Sequence, residues 1–434
     1  MFLANLVCMG AVAIAAPDGN EWQDPSRLSL GKEPPSTLTA PKDALDLSGV
    51  EAWSFNWARR PSERPVGFEK PEYDVSKWPK VTVPCSWQAC GIRKSGERFG
   101  VPIYVNTPYT FTPHRPANSN CPPRVVGNDL PKDWTFSSED NPVGSYRRDF
   151  EVPADWLKDE VFIRFEGVES FYYLWINGTY VGFSKDSRSP SVYNVTKLLK
   201  PGKNVVAAEV YRYCDGSYLE CQDIFRLSGI LRPVRVYRLR KGHLKDVRFE
   251  AHPEKKGAYD GDWILSFAAD RAAAFKVFEK GGAEVALEKV ADGKWRVKAP
   301  KLWSAEEPNL YTLVVSLERD GRCLEAAGFQ LGFRQVEIRE AADQRDRTFL
   351  FNGRPIKLKG VNRGETDPRY GHHVPDARVE ADLPEAGRAV RSIALETTGG
   401  QTAERVEVVV TSAGPDGQWG TEDDLTTAPL EEIE

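Results

Sequence analysis

Short runs of alternating apolar and polar residues, separated by turn residues, fill the first half of the chain. Residues 172–183 predict a hairpin, because Asn177-Gly178 can supply the two positive φ angles that a two-residue turn requires. Further strands are predicted at residues 161–165, 204–211 and 233–239. Since no long stretch of helical periodicity interrupts these runs, the pattern predicts one antiparallel sandwich over residues 45–240.

The spacing of the apolar runs changes after Gly242. About 100 residues of short strands follow, a length typical of an immunoglobulin-like sandwich, and Asp320-Gly321 is a hairpin turn signal. The predicted strands are residues 245–252, 263–269, 275–279, 295–299, 310–317 and 323–339. The sequence therefore predicts an all-β protein.

Charge and hydropathy exclude two classes of function. The 434 residues include 58 Lys and Arg against 63 Asp and Glu, which gives a net charge of −5. This balance offers no basic surface of the kind that nucleic acids bind. No run after the first 16 residues approaches the ~20 apolar residues of a membrane span. We therefore expect no nucleic-acid partner and no membrane span.

The first 16 residues form an apolar run that ends in small residues before Pro17. This pattern predicts a signal peptide and a periplasmic or secreted protein. The run contains no Lys or Arg before Pro17, so a start codon set too far upstream of a cytoplasmic protein is the alternative. The 7 cysteines have no zinc-binding spacing. We expect mostly free, buried thiols, although a disulfide is possible in an oxidising compartment.

Several motifs occur in a fixed order along residues 21–383. The longest covers residues 215–223 (DGSYLECQD) and continues over 226–230 (RLSGI). The others are residues 21–25 (EWQDP), 83–88 (VPCSWQ), 102–106 (PIYVN), 141–146 (NPVGSY), 175–178 (WING), 186–188 (DSR), 301–305 (KLWSA), 308–311 (PNLY), 332–334 (GFR) and 359–363 (KGVNR). With these motifs the chain resembles the N-terminal part of the β-galactosidases of glycoside hydrolase family 2.

The resemblance implies a jelly-roll sugar-binding domain over residues 17–240, an immunoglobulin-like domain over 241–340 and the start of a TIM barrel over 341–383. It also implies retaining hydrolysis of terminal β-linked galactose by two barrel glutamates. Asn106 matches a family asparagine that reaches the galactosyl pocket, and Asp223 matches an aspartate that binds sugar hydroxyls and sodium. Sodium or magnesium is thus the implied cofactor, with no organic cofactor. The alternative is that both side chains stabilise loops of the sandwich.

The chain departs from the family pattern where the barrel should follow. A TIM barrel takes about 250 residues, and 77 residues follow Lys357. Neither glutamate motif occurs among them. Gly364 stands where the family has a sugar-binding histidine, and nothing in the motif transfers that role to His372 or His373. We therefore expect a barrel truncated after its first strand and no hydrolysis by this polypeptide alone.

Residues 384–434 show no likeness to the family. Within them, residues 414–425 alternate Asp and Gly at close spacing, which offers oxygen ligands for calcium on tight turns. This stretch resembles the acidic C-terminal loop of type II secretion pseudopilin-like proteins. The candidate calcium ligands are Asp416, Asp423 and Asp424. An ordinary acidic turn is the alternative.

Three functions follow from these observations and stay open. The favoured one is the non-catalytic front of a β-galactosidase-like glycosidase. The second is a secreted carbohydrate-binding module, and the third is a fragment that complements a barrel supplied in trans. In the third case, apolar docking faces would be exposed or covered in a homo-oligomer. A galactoside or another glycan is the expected ligand, bound weakly, because most of the family's pocket belongs to the barrel.

Overall fold

A computed structural model describes residues 16–92, 99–104, 141–220, 224–320, 322–340, 347–356, 364–382, 391–394 and 407–410. The chain divides into two compact units. The first unit comprises Met1–Pro35, Ala40–Lys241 and Gly364–Pro375. The second unit comprises Ser36–Thr39, Gly242–Arg363 and Asp376–Glu434.

The first unit is an antiparallel β-sandwich. Its described strands are β1 (Ser29–Leu30), β2 (Leu45–Asp46), β3 (Gly49–Ala58), β4 (Lys80–Val83), β5 (Cys85–Ser86), β6 (Ile103–Tyr104), β7 (Val143–Val152), β8 (Glu160–Phe165), β9 (Val168–Glu169), β10 (Phe171–Ile176), β11 (Thr179–Ser184), β12 (Ser191–Asn194), β13 (Gly202–Tyr211), β14 (Phe225–Arg226), β15 (Gly229–Ile230) and β16 (Val234–Leu239). Its described helices are α1 (Trp87–Ile92) and α2 (Ser217–Glu220), with described 3₁₀ turns at Glu21–Gln23, Pro61–Glu63, Ala154–Lys158 and Thr196–Leu198.

Two large sheets enclose the main core of this unit. The seven-stranded sheet has the order β1-β11-β10-β13-β7-β3-β4, and the four-stranded sheet has the order β12-β8-β16-β2. Leu174 of the larger sheet and Ile163 of the smaller one are both fully buried in this core. Two short ladders, β5-β15-β9 and β6-β14, complete the described strands of the unit.

The larger sheet is buried on both faces. Side chains alternate along a strand, so Leu174 of β10 enters the main core while Tyr173 faces a second apolar cluster. The N-terminal segment covers this second face, where the ring of Trp22 stacks on Tyr211 at a centroid distance of 5.6 Å. Two-sided burial explains why the sequence of β10, FYYLWI, is apolar at every position.

The predicted hairpin is confirmed. Strands β10 and β11 pair antiparallel, and Asn177 and Gly178 between them have φ of 51° and 80°. The Asn177 amide also donates to the carbonyl of Leu198 at 2.9 Å, and its oxygen accepts from the amide of Val205 at 2.9 Å. The turn residue therefore ties the hairpin to strand β13 as well as reversing the chain.

The second unit contains an immunoglobulin-like sandwich. Its described strands are β17 (Val247–Pro253), β18 (Trp263–Ala269), β19 (Ala274–Phe278), β20 (Glu288–Ala291), β21 (Lys294–Val297), β22 (Tyr311–Arg319), β23 (Arg322–Leu331), β24 (Val336–Glu340), β25 (Arg347–Phe351), β26 (Arg354–Pro355), β27 (Arg391–Ala394) and β28 (Glu407–Val410), and its helix is α3 (Asp376–Asp382). The sheets have the orders β17-β18-β21-β20 and β19-β22-β23, with smaller ladders β24-β25-β26 and β27-β28.

The predicted strand over residues 323–339 is two strands. Strand β23 ends at Leu331 and β24 begins at Val336. Between them Phe333 is fully buried, and its ring meets Trp263 at 5.7 Å and Tyr311 at 5.1 Å. Periodicity alone missed this break, because burial of Phe333 in the sandwich core takes the chain out of the ladder.

The described ranges contain no closed eight-stranded cylinder, and all their named strand pairs are antiparallel. None of the helices within these ranges is both long and apolar enough to cross a membrane. Cys85 and Cys90 form a disulfide, which is the alternative that the sequence left open beside mostly free thiols. Cys214 is free and buried as expected, whereas the free thiol of Cys323 is exposed.

Candidate functional site

The candidate ligand residues all lie outside the described residues, so their roles stay predictions. They are Asn106, Asp223, Asp416, Asp423 and Asp424. Gly364, which stands where the family has a histidine, is described and exposed, with nothing within 4 Å of the place a Cβ would take. Strand β6 ends two residues before Asn106, and strand β14 begins two residues after Asp223. The two strands pair with each other in one region of the first unit.

Strands β6 and β14 form a two-stranded ribbon with an aromatic face. Tyr104 pairs with Phe225, and Ile103 pairs with Arg226. Because side chains alternate along each strand, the two aromatic rings share one face and Arg226 lies on the other. The ring centroids of Tyr104 and Phe225 are 5.2 Å apart. Tyr104 is 55% exposed and Phe225 is 37% exposed, whereas Arg226 is 4% exposed.

Arg212 fastens the back of this ribbon to the sandwich. This buried residue directly follows strand β13. Its Nη2 donates to the carbonyl of Val101 at 3.1 Å and to the carbonyl of Arg226 at 2.8 Å. The guanidinium carbon also lies 5.2 Å from the ring centroid of Tyr213. One charged group therefore holds strand β14 and the segment just before strand β6 through charge-assisted hydrogen bonds.

A narrow cavity behind the ribbon is lined by charged side chains, among them Glu169, Glu220 and Arg226. Its volume is about 10 Å³, which is room for roughly one water molecule. Since small-molecule pockets typically measure about 300–1,000 Å³, this cavity does not hold a sugar. Its charged groups organise the surrounding loops instead.

Glu220 ends helix α2 and holds the loop after strand β11. The amide of Ser187 donates to Glu220 Oε1 at 3.1 Å, and the hydroxyl of Ser187 donates to Oε2 at 2.5 Å. Burial, helped by the negative charges of Glu169 and Asp186, raises the pKa of Glu220 to about 7 against the opposing effect of these hydrogen bonds. The carboxyl group therefore titrates near neutral pH.

The Glu169 carboxylate lies beside an imidazole and a guanidinium group. His372 Nδ1 lies 2.7 Å from Glu169 Oε2, and an Arg188 Nη2 lies 3.6 Å from the same oxygen. Burial raises the pKa of Glu169, but the charges of His372 and Arg188 outweigh this effect and hold the pKa below its usual value. The carboxylate is thus kept ionised inside the fold.

Residues 364–375, hereafter the return segment, belong to the first unit and pack on strand β5 next to Glu169. The amide of Ser86 donates to the carbonyl of Tyr370 at 2.9 Å, and the amide of His372 donates to Ser86 Oγ at 3.1 Å. Asp367 and Gly371 exchange two backbone hydrogen bonds of 2.8 Å, which closes a tight turn. The return segment is therefore fixed through both backbone and side chains.

Lys185, the residue after strand β11, forms a buried ion pair with Asp215. Its Nζ lies 2.7 Å from Asp215 Oδ2 and donates to the carbonyl of Asp24 at 2.7 Å. The two charged side chains are 5% and 4% exposed. Burial raises the pKa of Asp215, and the hydrogen bond and charge of Lys185 oppose that rise. This pair joins strand β11, the start of the DGSYLECQD motif and the N-terminal segment.

The sequence indicated no role for Glu169, Glu220 or His372. Two sequence features could have pointed to this region: the family-like run DSR at residues 186–188, and the turn residues Asp367-Pro368 and Gly371. Among the residues that the structure describes, no cluster of three or more His, Cys, Asp or Glu side chains could hold a metal ion.

Two family profiles match these two sandwiches in order. The profile described as "Glycosyl hydrolases family 2, sugar binding domain" matches residues 46–240, and that described as "Glycosyl hydrolases family 2" matches residues 243–334. The chain belongs to glycosyl hydrolase family 2. Its first unit contains the sugar-binding domain of the family, and its second unit contains the immunoglobulin-like domain.

Curated relatives named beta-galactosidase share about a third of their length with this chain. The protein from Priestia megaterium is 33% identical over 343 residues, which are 74% of this chain and 30% of the relative. The Aeromonas hydrophila protein is 36% identical over 350 residues, 73% of this chain and 31% of the relative. The Vibrio vulnificus protein is 32% identical over 395 residues, 84% of this chain and 35% of the relative. The family prediction is therefore confirmed.

Solved structures of the Ruminococcus gnavus β-glucuronidase share the fold. The apo enzyme superposes with a TM-score of 0.59 at 19% identity, covering 80% of this chain and 55% of that chain. Its complex with D-glucaro-δ-lactam gives a TM-score of 0.60 at 18% identity with the same coverage. At this identity the likeness establishes the architecture of the two units.

Proposed function

We propose that this chain supplies the sugar-binding and immunoglobulin-like domains of a β-galactosidase-like glycosidase, with the catalytic glutamates on a separate TIM barrel. The observation that carries the proposal is the similarity of 73–84% of the chain to about a third of relatives named beta-galactosidase. A retaining glycosidase needs two carboxyl groups ~5–5.5 Å apart on either side of the bond. In this proposal the two sandwiches recognise sugar and support the barrel, and they perform no bond cleavage.

Within this function we propose that Asn106 and Asp223 act together on the sugar. Asn106 follows Tyr104 by two residues, and Asp223 precedes Phe225 by two residues. Tyr104 and Phe225 are direct cross-strand partners, so these two sequence positions belong to one region of the first unit. The closeness in sequence of Asn106 and Asp223 to this pair supports the proposal. An amide and a carboxylate suit sugar hydroxyls, and the carboxylate also suits sodium or magnesium.

The first experiment measures hydrolysis of a chromogenic β-galactoside by the full chain, purified from a host without β-galactosidase. We expect no turnover above background. Turnover that survives a second purification would contradict the non-catalytic assignment. A barrel fragment of the Priestia megaterium relative is then added in trans, and activity gained on mixing would identify that fragment as a partner. Light scattering of the chain alone tests the homo-oligomer, and a clean monomer counts against it.

A secreted carbohydrate-binding module is the second candidate, because Tyr104 and Phe225 present exposed aromatic rings side by side. Calorimetric titration of the chain with a panel of oligosaccharides tests this candidate. Heat of binding that saturates with one glycan class would support it, and silence across the panel would reject it.

Export to the periplasm or the medium is part of the proposal. The apolar run over residues 2–16 supports it, and so does the Cys85–Cys90 disulfide, since such bonds persist in oxidising compartments. Cell fractionation with N-terminal sequencing should find an exported chain that begins near Pro17. A cytoplasmic chain that retains Met1 would contradict this localisation.

Calcium binding by Asp416, Asp423 and Asp424 is also proposed, on the spacing of their carboxylates in residues 414–425. Calorimetric titration with Ca²⁺ should show binding by the wild-type chain that the triple Asp→Asn variant loses. Equal heats for the two proteins would reject these ligands.

A further inference from the structure

Two exposed aromatic side chains stand next to each other on the β6–β14 ribbon. Most large rings of the first unit are buried in its two apolar clusters, whereas Tyr104 and Phe225 keep 55% and 37% of their surface in solvent. Their ring planes meet at 59° with centroids 5.2 Å apart. The pair therefore forms an open corner with one ring on each side, which we call the aromatic corner.

The aromatic corner is held rigidly from behind. Tyr104 and Phe225 are direct cross-strand partners, so the ladder sets their spacing. Arg212 bonds the carbonyl of Val101 just before one strand and the carbonyl of Arg226 in the other. The amide of Arg212 in turn donates to the carbonyl of Pro142 at 2.9 Å. A preorganised surface of this kind loses little conformational entropy when a ligand binds.

We propose that the aromatic corner binds the apolar C–H face of a hexopyranose, with a galactoside as its ligand class. An aromatic ring offers a large apolar surface with few rotatable bonds, and the Tyr104 hydroxyl adds a polar group at its edge. The positions proposed for sugar hydroxyls, Asn106 and Asp223, are each two residues away in sequence. This inference rests on the proposed function and assigns it two further contact residues.

The test uses saturation-transfer NMR and titration of the full chain with methyl β-D-galactopyranoside. Tyr104→Ala and Phe225→Ala should each weaken binding by about three- to tenfold, the range expected for one aromatic contact. Tyr104→Phe keeps the ring and should stay within about twofold, while Phe225→Leu keeps apolar bulk without a ring and should weaken binding as Phe225→Ala does. Val66→Ala, at a side chain that is 84% exposed elsewhere in the unit, is the matched control.

The outcomes separate the inference from the proposed function. If the wild-type chain binds the galactoside and the ring-deleting variants bind equally well, the aromatic corner is wrong while sugar recognition stands. If the wild-type chain binds no galactoside, both fail. If the ring-deleting variants leave galactoside binding unchanged and alter only the molecular mass measured by light scattering, the aromatic corner contacts another protein chain. That result would overturn the inference. The thermal unfolding temperatures of Phe225→Leu and Tyr104→Phe should equal that of the wild-type chain. Equal temperatures show that these variants are folded, so that a loss of binding reflects the changed side chain.

Discussion

His372 Nδ1 lies 2.7 Å from the Glu169 carboxylate, across 203 residues of sequence. An ionised carboxylate can only accept a hydrogen bond, so Nδ1 carries the proton in this contact. The imidazole is 2% exposed, and Arg188 approaches the same carboxylate from another side. This contact fastens the return segment to the sugar-binding domain.

Replacing His372 with Ala should destabilise the chain by about 1–3 kcal/mol, because Glu169 keeps its buried charge and loses its nearest partner. Urea unfolding followed by tryptophan fluorescence measures the change. His252→Ala, at an exposed strand position of the second unit, is the control and should cost less than about 0.5 kcal/mol. Equal effects of the two variants would show that the His372 contact adds no stability.

Glu169→Gln should change how stability responds to acid. The pKa of Glu169 is held below its usual value of 4.5, so its contribution is present above pH 4.5 and is lost as the pH falls through the folded-state pKa. The Gln variant should therefore lose less stability than wild type between pH 5 and pH 3, by urea unfolding at each pH. Parallel curves for the two proteins would contradict the ionised state of Glu169.

Gly371 permits the close approach of the return segment to strand β5. Its φ is +68°, and a Cβ there would lie 2.4 Å from Ser86 Oγ and 2.5 Å from Ser86 Cβ. Gly371→Ala should therefore displace the segment and make it a preferred site of limited proteolysis. Gly364→Ala is the matched control, since nothing lies within 4 Å of its Cβ position. Identical cleavage patterns for the two variants would contradict the tight contact.

The sequence predicts those features of the fold that depend on local chemistry. Asn177-Gly178 specified its hairpin, because positive φ angles at a two-residue turn are a property of those two residues. The pairing of His372 with Glu169 had no such signal, since it depends on where the chain returns after the second unit. Phe333 broke a predicted strand for a similar reason, because its burial is decided by the packed core.

The candidate site also contains some residues that the sequence indicates and others that only the fold brings together. Family-like motifs named Asn106 and Asp223, two polar residues in recognisable sequence contexts. The sequence did not indicate the aromatic corner, because Tyr104 and Phe225 face each other only through the register between strands β6 and β14, and the two residues are 121 positions apart along the chain. The role of Arg212 was missed because its side chain donates hydrogen bonds to backbone carbonyl groups. Every residue has such a group, so the sequence does not indicate which of them Arg212 binds.

Glu220 should make stability depend on pH near neutrality. Burial raises its pKa from 4.5 to about 7, so its contribution is present below pH 4.5 and is lost as the pH rises through 7. Relative to Glu220→Gln, the wild-type chain should lose up to ~3 kcal/mol between pH 4.5 and pH 8. Unfolding curves at four pH values measure this difference. Glu151→Gln, at an exposed position of β7, should show no such difference.

A buried and an exposed lysine ion pair of the first unit should differ greatly in their effect on stability. Lys185 and Asp215 are 5% and 4% exposed at 2.7 Å, whereas Lys203 and Asp149 are 74% and 51% exposed at 3.3 Å. Lys185→Met leaves a buried carboxylate without its cation and should cost about 3–5 kcal/mol. Lys203→Met removes a solvated pair and should cost about 0.2–1 kcal/mol.

A double variant separates the value of the buried pair from the penalty of a lone charge. Lys185→Met with Asp215→Leu removes both charges, so no unpaired carboxylate remains in the fold. If the penalty of Lys185→Met comes from that carboxylate, the double variant should recover most of the lost stability in urea unfolding. A double variant as unstable as Lys185→Met would instead assign the loss to the bond between Lys185 Nζ and the carbonyl of Asp24, which both variants lack.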